Sequence, residues 1–484
     1  MRSGFWWSNI GNFLNKIIGL FRTHLKLIVV GDSVLSDLFL LADKTISLIR
    51  RLFVDGSFQS IFINHYNIEK VNNNEKSFAT SSLKFMLMNL SLVTIIFLVL
   101  SPFFVSFFHQ NAENEKILLH FLFSLSPLII LIFLMSFFTS LLNSNYKFRC
   151  SSIAPVIGNI VFTGILFLAS KKIIHWSLFW VLSIGSIAYA FIQSLFMICF
   201  SLKFFKKSED NVSDKFKKDV IKGIGINLIV PLSEVIIGII ATQKKNGLLS
   251  HLEYGHKYIF TAFSILCIPV SNSVLPLLSQ LFQNGEKQKF QSLSTKIFIL
   301  IHVLSIPTIF FLYFFTSDLL SLLIRNINLV QHKEAMCQTV SIVSLSLYFL
   351  MQNRILNNIY NVSNNLNYSL KGSIIYGTTS IFLTFVLQNI TDGLAWVSNI
   401  AYLLQFLFLL YFAFKQNLLF FSKQDKLTMV LSIVISCIFT LILKIFYLKY
   451  SLIYTFIIGV VLLILYIVAF WNYFKLLFLK KITF

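Results

Sequence analysis

Two adjacent arginines, Arg50 and Arg51, and an aspartate four residues after the second, Asp55, interrupt an otherwise apolar stretch, SLIRRLFVDGSF. An arginine guanidinium offers a planar fork of N–H donors that suits phosphate and carboxylate oxygens. Arg51 and Asp55 also have the i,i+4 spacing of an ion pair within one helix. The arginines could therefore bind an anion, or Arg51 and Asp55 could form an ion pair within one helix. The charges in neighbouring stretches help to distinguish these alternatives.

Further charged residues lie in apolar stretches of the same kind. The cations are Lys16, Arg22, Lys44, Lys257 and Arg354, and the other titratable residues near them in the chain are Asp37, Glu253 and His256. At the centre of a lipid-facing helix, each Arg, Lys or Asp would cost about 2.5–3.5 kcal/mol. The cations outnumber the carboxylates, which favours a hydrated interior that binds an anion such as a diphosphate or a carboxylate. The alternative for any single cation is that it snorkels to the membrane interface or neutralises a neighbouring carboxylate.

The elements that must position these residues follow from an apolar composition. Of the 484 residues, 56% are hydrophobic and 12% are charged, which is far outside the usage of soluble domains. A helix needs about 20 residues to cross about 30 Å of hydrocarbon. We count about fourteen apolar stretches of suitable length, at residues 9–30, 34–65, 80–108, 117–143, 152–170, 176–203, 220–242, 252–283, 293–316, 336–361, 370–388, 393–415, 427–447 and 452–477. The sequence therefore predicts an all-α, polytopic membrane protein.

The longest polar insertion, KKSEDNVSDKFKK, separates the sixth apolar stretch from the seventh. It predicts a six-helix lobe over residues 1–205, a cytoplasmic linker over 206–218 and a second six-helix lobe over 219–417. Two additional helices follow over residues 418–484. No connection is long enough to form a separate soluble domain.

The formal net charge of +21 is explained mostly by topology. The basic residues of the connecting segments are concentrated on one side of the membrane, and the positive-inside rule then places both termini in the cytoplasm. Nucleic-acid binding is therefore not needed to explain the charge, and we expect no nucleic-acid partner. The five cysteines have no CxxC or other paired spacing, so we expect no disulfide framework, no metal site and no cofactor.

Two longer motifs carry a family resemblance. The first is SDLFLLADKTISLIRRLFVDGSFQSIF with NKIIGLFR before it, and the second is EYGHKYIF followed by VSNSVLPLLSQLF. The first keeps an Asp, an Arg-Arg pair, an acidic-Gly step and a Phe in register, and the second keeps the spacing from Lys257 to Pro276. In these features the chain resembles the MurJ (MviN) lipid II flippases of the MOP exporter superfamily, and the resemblance extends over the whole chain.

The resemblance implies a flippase that moves lipid II, an undecaprenyl-diphosphate-linked peptidoglycan precursor, across the bacterial cytoplasmic membrane by alternating access, and not an enzyme. The residues that it implies for diphosphate binding in a central cavity are Lys16, Arg22, Arg50 and Lys257. The residues that we assign to secondary cavity or gating positions are Asp37, Lys44, Arg51, Asp55, Glu253 and His256. The resemblance leaves open whether a coupling ion or the membrane potential supplies the energy.

The resemblance also implies that the last two apolar stretches form a groove for the prenyl tail. From their residues alone, they are equally well explained as ordinary lipid-facing helices.

Several positions depart from the family pattern. Lys16 and Lys257 replace arginines, Thr23 replaces an acidic residue and Ile46 replaces a proline. Positive charge is kept at each position implied for the diphosphate, but lysine lacks the bidentate fork of arginine. A site that relies on diffuse positive charge would tolerate these changes, whereas a site that needs a guanidinium at every position would not.

Other functions stay open on the sequence. Another oligosaccharide-lipid flippase of the same superfamily, of the O-antigen type, would bind the same diphosphate. A drug antiporter would favour carboxylates over cations, and a membrane-embedded glycosyltransferase would need an acidic metal motif or a large loop that the sequence lacks. A non-transporting scaffold is compatible with the Arg-to-Lys replacements.

Overall fold

The computed structural model describes residues 2–31, 33–53, 57–106, 111–145, 147–206, 212–218, 220, 229–244, 246–323, 333–363, 365–449 and 452–474. The elements assigned in these ranges are helices, and no strand occurs among them. The prediction of an all-α fold is confirmed.

The described helices fall into two groups along the chain. The first group comprises α1 (Arg2–Val30), α2 (Val34–Phe53), α3 (Ser57–Val71), α4 (Glu75–Ser106), α5 (Ala112–Leu125), α6 (Pro127–Ser144), α7 (Phe148–Ser170) and α8 (Leu178–Ser201), with a 3-10 turn at Leu202–Phe204. The second group comprises α9 (Ile229–Lys244), α10 (Leu248–Gln283), α11 (Lys287–Leu323), α12 (Lys333–Ser344), α13 (Ser346–Val362), α14 (Leu366–Leu387), α15 (Gly393–Lys415), α16 (Lys423–Lys449), α17 (Leu452–Ala469) and α18 (Trp471–Phe474).

Nine helical stretches in the described part of the chain are long and apolar enough to cross a membrane. They are Glu75–Ser106, Ala112–Ser144, Phe148–Ser170, Leu178–Phe204, Lys287–Asp318, Glu334–Val362, Asn367–Leu387, Gly393–Lys415 and Lys423–Tyr447. These stretches confirm a polytopic membrane protein, while the count of about fourteen stays a prediction. Helices α1 and α2, as far as they are described, are not among the nine and carry several of the candidate site charges.

Some predicted stretches are not single helices. The stretch predicted at 117–143 consists of α5 and α6, which meet at Ser126 and Pro127. Proline has no N–H to donate and is tolerated in the first turn of a helix, so α6 begins there. The N–H of Ser126 donates to the carbonyl of Phe123 in a tighter turn, at 3.3 Å. The stretches at 34–65 and 336–361 likewise contain two helices each.

Contacts divide the chain into two compact units. The first unit runs from Met1 to Ser250 with Asn326–Gln331, and the second comprises His251–Arg325 and His332–Phe484. Helix α9 belongs to the first unit because it packs against α2. The predicted lobe and linker boundaries at residues 205, 218 and 417 stay predictions.

In the first unit, α1 packs along α7, α7 packs on α8, and α2 packs against both α5 and α9. Leu25 of α1, Phe162 and Leu166 of α7 and Val181 of α8 form one buried apolar cluster. This cluster fixes the face of α1 on which the candidate cations lie, because it sets how α1 is rotated against its neighbours.

Part of the predicted cytoplasmic linker is anchored to the first unit. Phe216 is fully buried, and its ring meets His65 and Phe78 edge-on at centroid distances of 5.3 Å each. Val212 and Val220, four residues to either side of Phe216, are also buried. The apolar face of this segment therefore packs on α3 and α4, while Lys215 and Lys218 stay exposed.

In the second unit, α15 packs against α13 and α14, and α11 packs against α13 and α16. Buried polar side chains link α13 to the backbone and side chains of α15. The amide of Asn353 donates to the carbonyl of Tyr402 and to the side chain of Gln405, at 3.1 Å each. The hydroxyl of Tyr360 donates to the carbonyl of Leu409 at 2.6 Å. Interhelical hydrogen bonds of this kind replace partners that lipid cannot offer.

Candidate functional site

Arg22 projects from α1 over two aromatic rings of the neighbouring helices. Its guanidinium carbon is 5.2 Å from the ring centroid of Phe162 on α7 and 5.3 Å from that of Tyr189 on α8. The carboxylate of Asp43 on α2 adds an electrostatic interaction. A cation above a ring face is attracted by the ring quadrupole. Arg22 is therefore seated on both rings while its side chain stays partly exposed.

We call the rings of Phe162 and Tyr189 under Arg22 the aromatic seat. Two glycines provide the space that these rings need. A Cβ at Gly185 would overlap the ring of Phe162, and a Cβ at Gly158 would lie 2.8 Å from the carbonyl oxygen of Tyr189. Neither position has room for a larger residue, so α7 and α8 approach as closely as small residues allow. Each glycine stands four residues before the aromatic residue of its own helix, which places the two on one helix face.

Lys16, six residues before Arg22 on α1, is also partly exposed. The neighbouring Asn15 accepts a hydrogen bond from the amide of Asn159 on α7, at 2.5 Å. Helix α1 continues without a break through Gly19, whose carbonyl accepts a hydrogen bond from the Thr23 hydroxyl at 2.9 Å. On a regular helix, Lys16 and Arg22 lie about 120° apart. A shared ligand would thus have to be reached by their long side chains and not by a bend in the helix.

Asp37 accepts several hydrogen bonds, and only 2% of it is exposed. One carboxylate oxygen accepts from the Gly247 N–H at 2.7 Å, and the other accepts from the Ser250 N–H at 2.8 Å and from the Ser250 hydroxyl at 2.6 Å. These donors are at the start of α10, where N–H groups lack helical partners and a negative charge is favourable. Gly247 has φ +83°, which suits glycine. Asp37 therefore ties α2 to the first turn of α10.

The remaining candidates on α2 are described unevenly. The aliphatic part of Lys44 packs towards α9, where a Cβ at Gly238 would lie 3.3 Å from the Lys44 Cδ. Arg50 and Arg51 belong to α2, but their side chains lie outside the described residues, as does the whole of Asp55.

The candidates of α10 belong to the second unit. Glu253 and His256 are partly exposed and Lys257 is exposed. The His256 ring is 6.3 Å from the ring of Phe260, one turn further along. Arg354, the other cation noted within an apolar stretch, is exposed on α13. The convergence of Lys257 with the cations of α1 and α2 on one cavity stays a prediction.

The second unit also contains an apolar cavity of about 610 Å³ between α11, α16 and α17, which we call the C-terminal groove. Its walls include Val303, Phe311 and Phe315 of α11, Phe439 and Leu443 of α16, and Leu463 of α17. Along α11 it extends from Val303 to Asp318, or about 22 Å at 1.5 Å per residue. Its size and apolar walls are those of a ligand site.

An ion pair marks one end of the C-terminal groove. The Lys444 ammonium donates to the Asp318 carboxylate at 3.0 Å and to the Phe314 carbonyl at 3.1 Å. It also lies 5.2 Å from the centroid of the Phe315 ring. The side chains of Lys444 and Asp318 are 35% and 22% exposed. These contacts join α16 to α11 beside the groove.

Sequence reasoning missed three of these features: the aromatic seat of Arg22, the backbone donors to Asp37 and the Lys444–Asp318 pair. The first had a signal, because GNIVF and GSIAY place a glycine four residues before an aromatic residue in two consecutive helices. Gly247 ahead of the apolar start of α10 was a signal for a helix start, but not for the residue that caps it.

Comparison with known proteins decides the family. The family model described as lipid II flippase MurJ matches residues 28–481. The chain belongs to the MurJ family. The resemblance predicted from the sequence motifs is confirmed.

Curated relatives include the probable lipid II flippase MurJ of Buchnera aphidicola subsp. Acyrthosiphon pisum, which is 26% identical over 341 residues, or 64% of this chain and 63% of that protein. This chain thus matches just under two thirds of the length of that relative. The probable lipid II flippase MurJ of Aquifex aeolicus is 25% identical over 390 residues, or 78% of this chain and 76% of the relative.

Solved structures support a MurJ fold. A lipid II flippase MurJ in an inward closed conformation matches with a TM-score of 0.78 at 20% identity, covering 96% of this chain and 98% of the other. An inward-facing multidrug resistance MATE family transporter of the MOP superfamily matches with a TM-score of 0.61 at 11% identity, covering 84% and 98%. The MurJ family member described here therefore shares its fold with both.

Proposed function

We propose that this chain translocates lipid II across the bacterial cytoplasmic membrane and acts as a transporter and not as an enzyme. Membership of the MurJ family supports the substrate. The observation that carries the proposal is the guanidinium of Arg22, which lies over two aromatic rings among apolar helices. Such a group is costly in contact with lipid, but it suits a phosphate that enters a hydrated interior.

In this proposal, Lys16, Arg22, Arg50 and Lys257 hold the diphosphate in a cavity between two six-helix lobes, residues 1–205 and 219–417. Arginine would supply paired N–H donors, and lysine would supply point charges. The partial exposure of Lys16 and the exposure of Lys257 support this role. The two lobes would open alternately to either side of the membrane.

Asp37 would act as a gate residue. Its carboxylate holds the first turn of α10 through three hydrogen bonds. We propose that these bonds break when the transporter changes state and that Asp37 then pairs with a cation. Lys44, Arg51, Asp55, Glu253 and His256 would line the same cavity or its gates.

The prenyl tail would occupy the C-terminal groove, within the two-helix extension at residues 418–484 and its contact with α11. The aliphatic and aromatic walls support this assignment, because a hydrocarbon chain gains by leaving a polar site for an apolar one. We further propose that both termini are cytoplasmic and that a coupling ion or the membrane potential drives the cycle.

Rescue of cells depleted of their own lipid II flippase tests the proposal. We expect this chain to restore growth and cell-wall synthesis, and an Arg50→Ala variant to fail at equal membrane abundance. Arg149→Ala is the matched control, because Arg149 is exposed at the start of α7. Absence of rescue by the unaltered chain, despite its presence in the membrane, would contradict the proposed function.

A further inference from the structure

The geometry assigns Tyr466 of α17 as the residue that positions the outer wall of the C-terminal groove, by donating to a backbone carbonyl that Pro307 deprives of its helical partner. The Tyr466 hydroxyl donates to the carbonyl oxygen of Val303 on α11, at 2.8 Å. All three residues line the groove. The bond therefore joins two walls of one cavity.

The Val303 carbonyl needs this donor because of where Pro307 lies. In a regular α-helix the carbonyl of residue 303 accepts from the N–H of residue 307. Residue 307 is a proline inside α11, so this donor is missing and the proline ring crowds the carbonyl. Val303 is 0% exposed, and a buried carbonyl without a donor is costly. Tyr466 supplies the donor from a different helix.

The ring of Tyr466 also packs against α16, which forms the third wall of the groove. Its centroid is 4.7 Å from that of Phe470 on the same chain segment and 6.5 Å, edge-on, from that of Phe439 on α16. Ser436 of α16, which is 1% exposed, is also close to the Tyr466 hydroxyl. One side chain, itself 3% exposed, thus fixes α17 against both α11 and α16.

This attachment determines where the apolar face of α17 stands. Leu463, one turn before Tyr466, lines the groove and is 56% exposed. Without the hydroxyl, the Val303 carbonyl would lose its donor and α17 would be free to shift along α11, which would change the width of the groove. The consequence for a prenyl tail rests on the proposed function, whereas the attachment of α17 does not.

A double-mutant cycle on Pro307 and Tyr466 tests the inference. Tyr466→Phe removes only the hydroxyl, and Pro307→Ala returns an N–H that can satisfy Val303 from within α11. The two substitutions should therefore be coupled in the free energy of unfolding: Tyr466→Phe should lower it when Pro307 is present and change it little beside Pro307→Ala. Tyr411→Phe is the matched control, since Tyr411 is 61% exposed on α15.

Two measurements on purified protein separate the attachment from its use. The first is the distance between spin labels at Tyr313 of α11 and Val468 of α17, which are 44% and 64% exposed, in a chain whose five cysteines are replaced by serine. Tyr466→Phe should shift or broaden this distance both with and without Pro307→Ala, because the bond from α17 to α11 is lost in either background. The second is binding of undecaprenyl phosphate and of farnesyl phosphate by native mass spectrometry. Tyr466→Phe should weaken binding of undecaprenyl phosphate about tenfold, or about 1.4 kcal/mol, and should leave binding of farnesyl phosphate unchanged.

The outcomes are distinct. A shift in the label distance, a loss of stability confined to the chain that keeps Pro307, and selective loss of the long-chain ligand together support the inference in full. The same shift and stability pattern in a protein that binds no undecaprenyl phosphate supports the attachment and contradicts the tail assignment in the proposed function. An unchanged distance in Tyr466→Phe, or the same loss of stability with and without Pro307, overturns the inference.

Discussion

The α1–α2 region and the C-terminal groove treat polar groups in opposite ways. In α1, the cations Lys16 and Arg22 remain partly exposed, and Arg22 rests on aromatic rings. Along the groove, polar atoms are tied to backbone carbonyls, as with Tyr466 on Val303 and Lys444 on Phe314. Under the proposed function, the first arrangement would serve to bind an anion, and the second would keep the groove apolar for a hydrocarbon chain.

The role of a charged residue within the membrane therefore depends on the groups that surround it. Lys444 and Arg22 are both cations in helices of apolar character, and both lie over aromatic rings. Lys444 has an acid at 3.0 Å, which suits a structural role. Arg22 lies over two aromatic rings and interacts electrostatically with Asp43, and under the proposed function it binds an anion. Substitutions in each region should therefore have different readouts.

The largest effect is expected from Arg22→Ala. Removal of the fork should weaken equilibrium binding of lipid II to the purified protein by about a hundredfold, as for truncation of one partner of a charge-assisted pair. Arg22→Lys should recover part of this loss through its charge alone. Native mass spectrometry with Arg149→Ala as control measures both. Equal binding by Arg22→Ala and the unaltered chain would place Arg22 with Lys444 among structural cations.

Asp37→Ala is expected to cost about 3 kcal/mol of stability, because it leaves the buried donors of Gly247 and Ser250 without a charged acceptor. Ser36→Ala removes only the contact between its hydroxyl and that of Ser250, at 3.0 Å, and should cost about 1 kcal/mol or less. Thermal unfolding in detergent compares the two variants. If both lose the same stability, the carboxylate does not hold α10 as described.

Gly158→Ala and Gly185→Ala should each destabilise the protein by about 1–3 kcal/mol, since the added methyl group overpacks the contact between α7 and α8. Gly164→Ala is the control on the same helix pair, because a Cβ there would meet nothing within 4 Å. That substitution should be neutral or stabilising by up to about 1 kcal/mol through helix propensity. A harmless Gly185→Ala would contradict the close approach that seats Arg22.

The smallest effect is expected from the ion pair at the end of the groove. Asp318→Asn should cost about 1 kcal/mol or less, because both partners are partly exposed and screened. Lys415→Met, which alters an exposed lysine on α15, is a control for loss of a surface charge. Unfolding at low and high salt should show the Asp318 effect shrinking as salt rises. If Asp318→Asn reduced lipid II binding as much as Arg22→Ala does, the proposed difference between the two regions would be wrong.

The sequence predicted the helical class and the family because both depend on long patterns. Apolar stretches are set by the length needed to cross a membrane, and the motif around Arg50 and Arg51 extends over many residues. The sequence also placed Arg22, Lys16 and Asp37 within apolar surroundings. These predictions need only the type of a residue and its neighbours in the chain.

Hydrogen bonds between residues far apart in the chain could not be predicted from the sequence. Asp37 was predicted at a cavity or gating position, and its described partners include N–H groups more than two hundred residues away, which no side-chain pattern reveals. Likewise, a proline at position 307 removes the helical donor to the carbonyl of residue 303, but nothing in the sequence pattern identifies Tyr466 as the donor that replaces it. Helix boundaries such as that between α5 and α6 were missed because hydropathy runs on through Pro127.

The most direct test of the central claim is the leaflet in which labelled lipid II is found in cells that rely on this protein alone. If basic side chains of α1, α2 and α10 carry the diphosphate through the membrane, precursor should become accessible from outside, and accessibility should fall towards background with Arg22→Ala at equal abundance. External precursor that stays at background while the unaltered protein is present in the membrane would contradict the account.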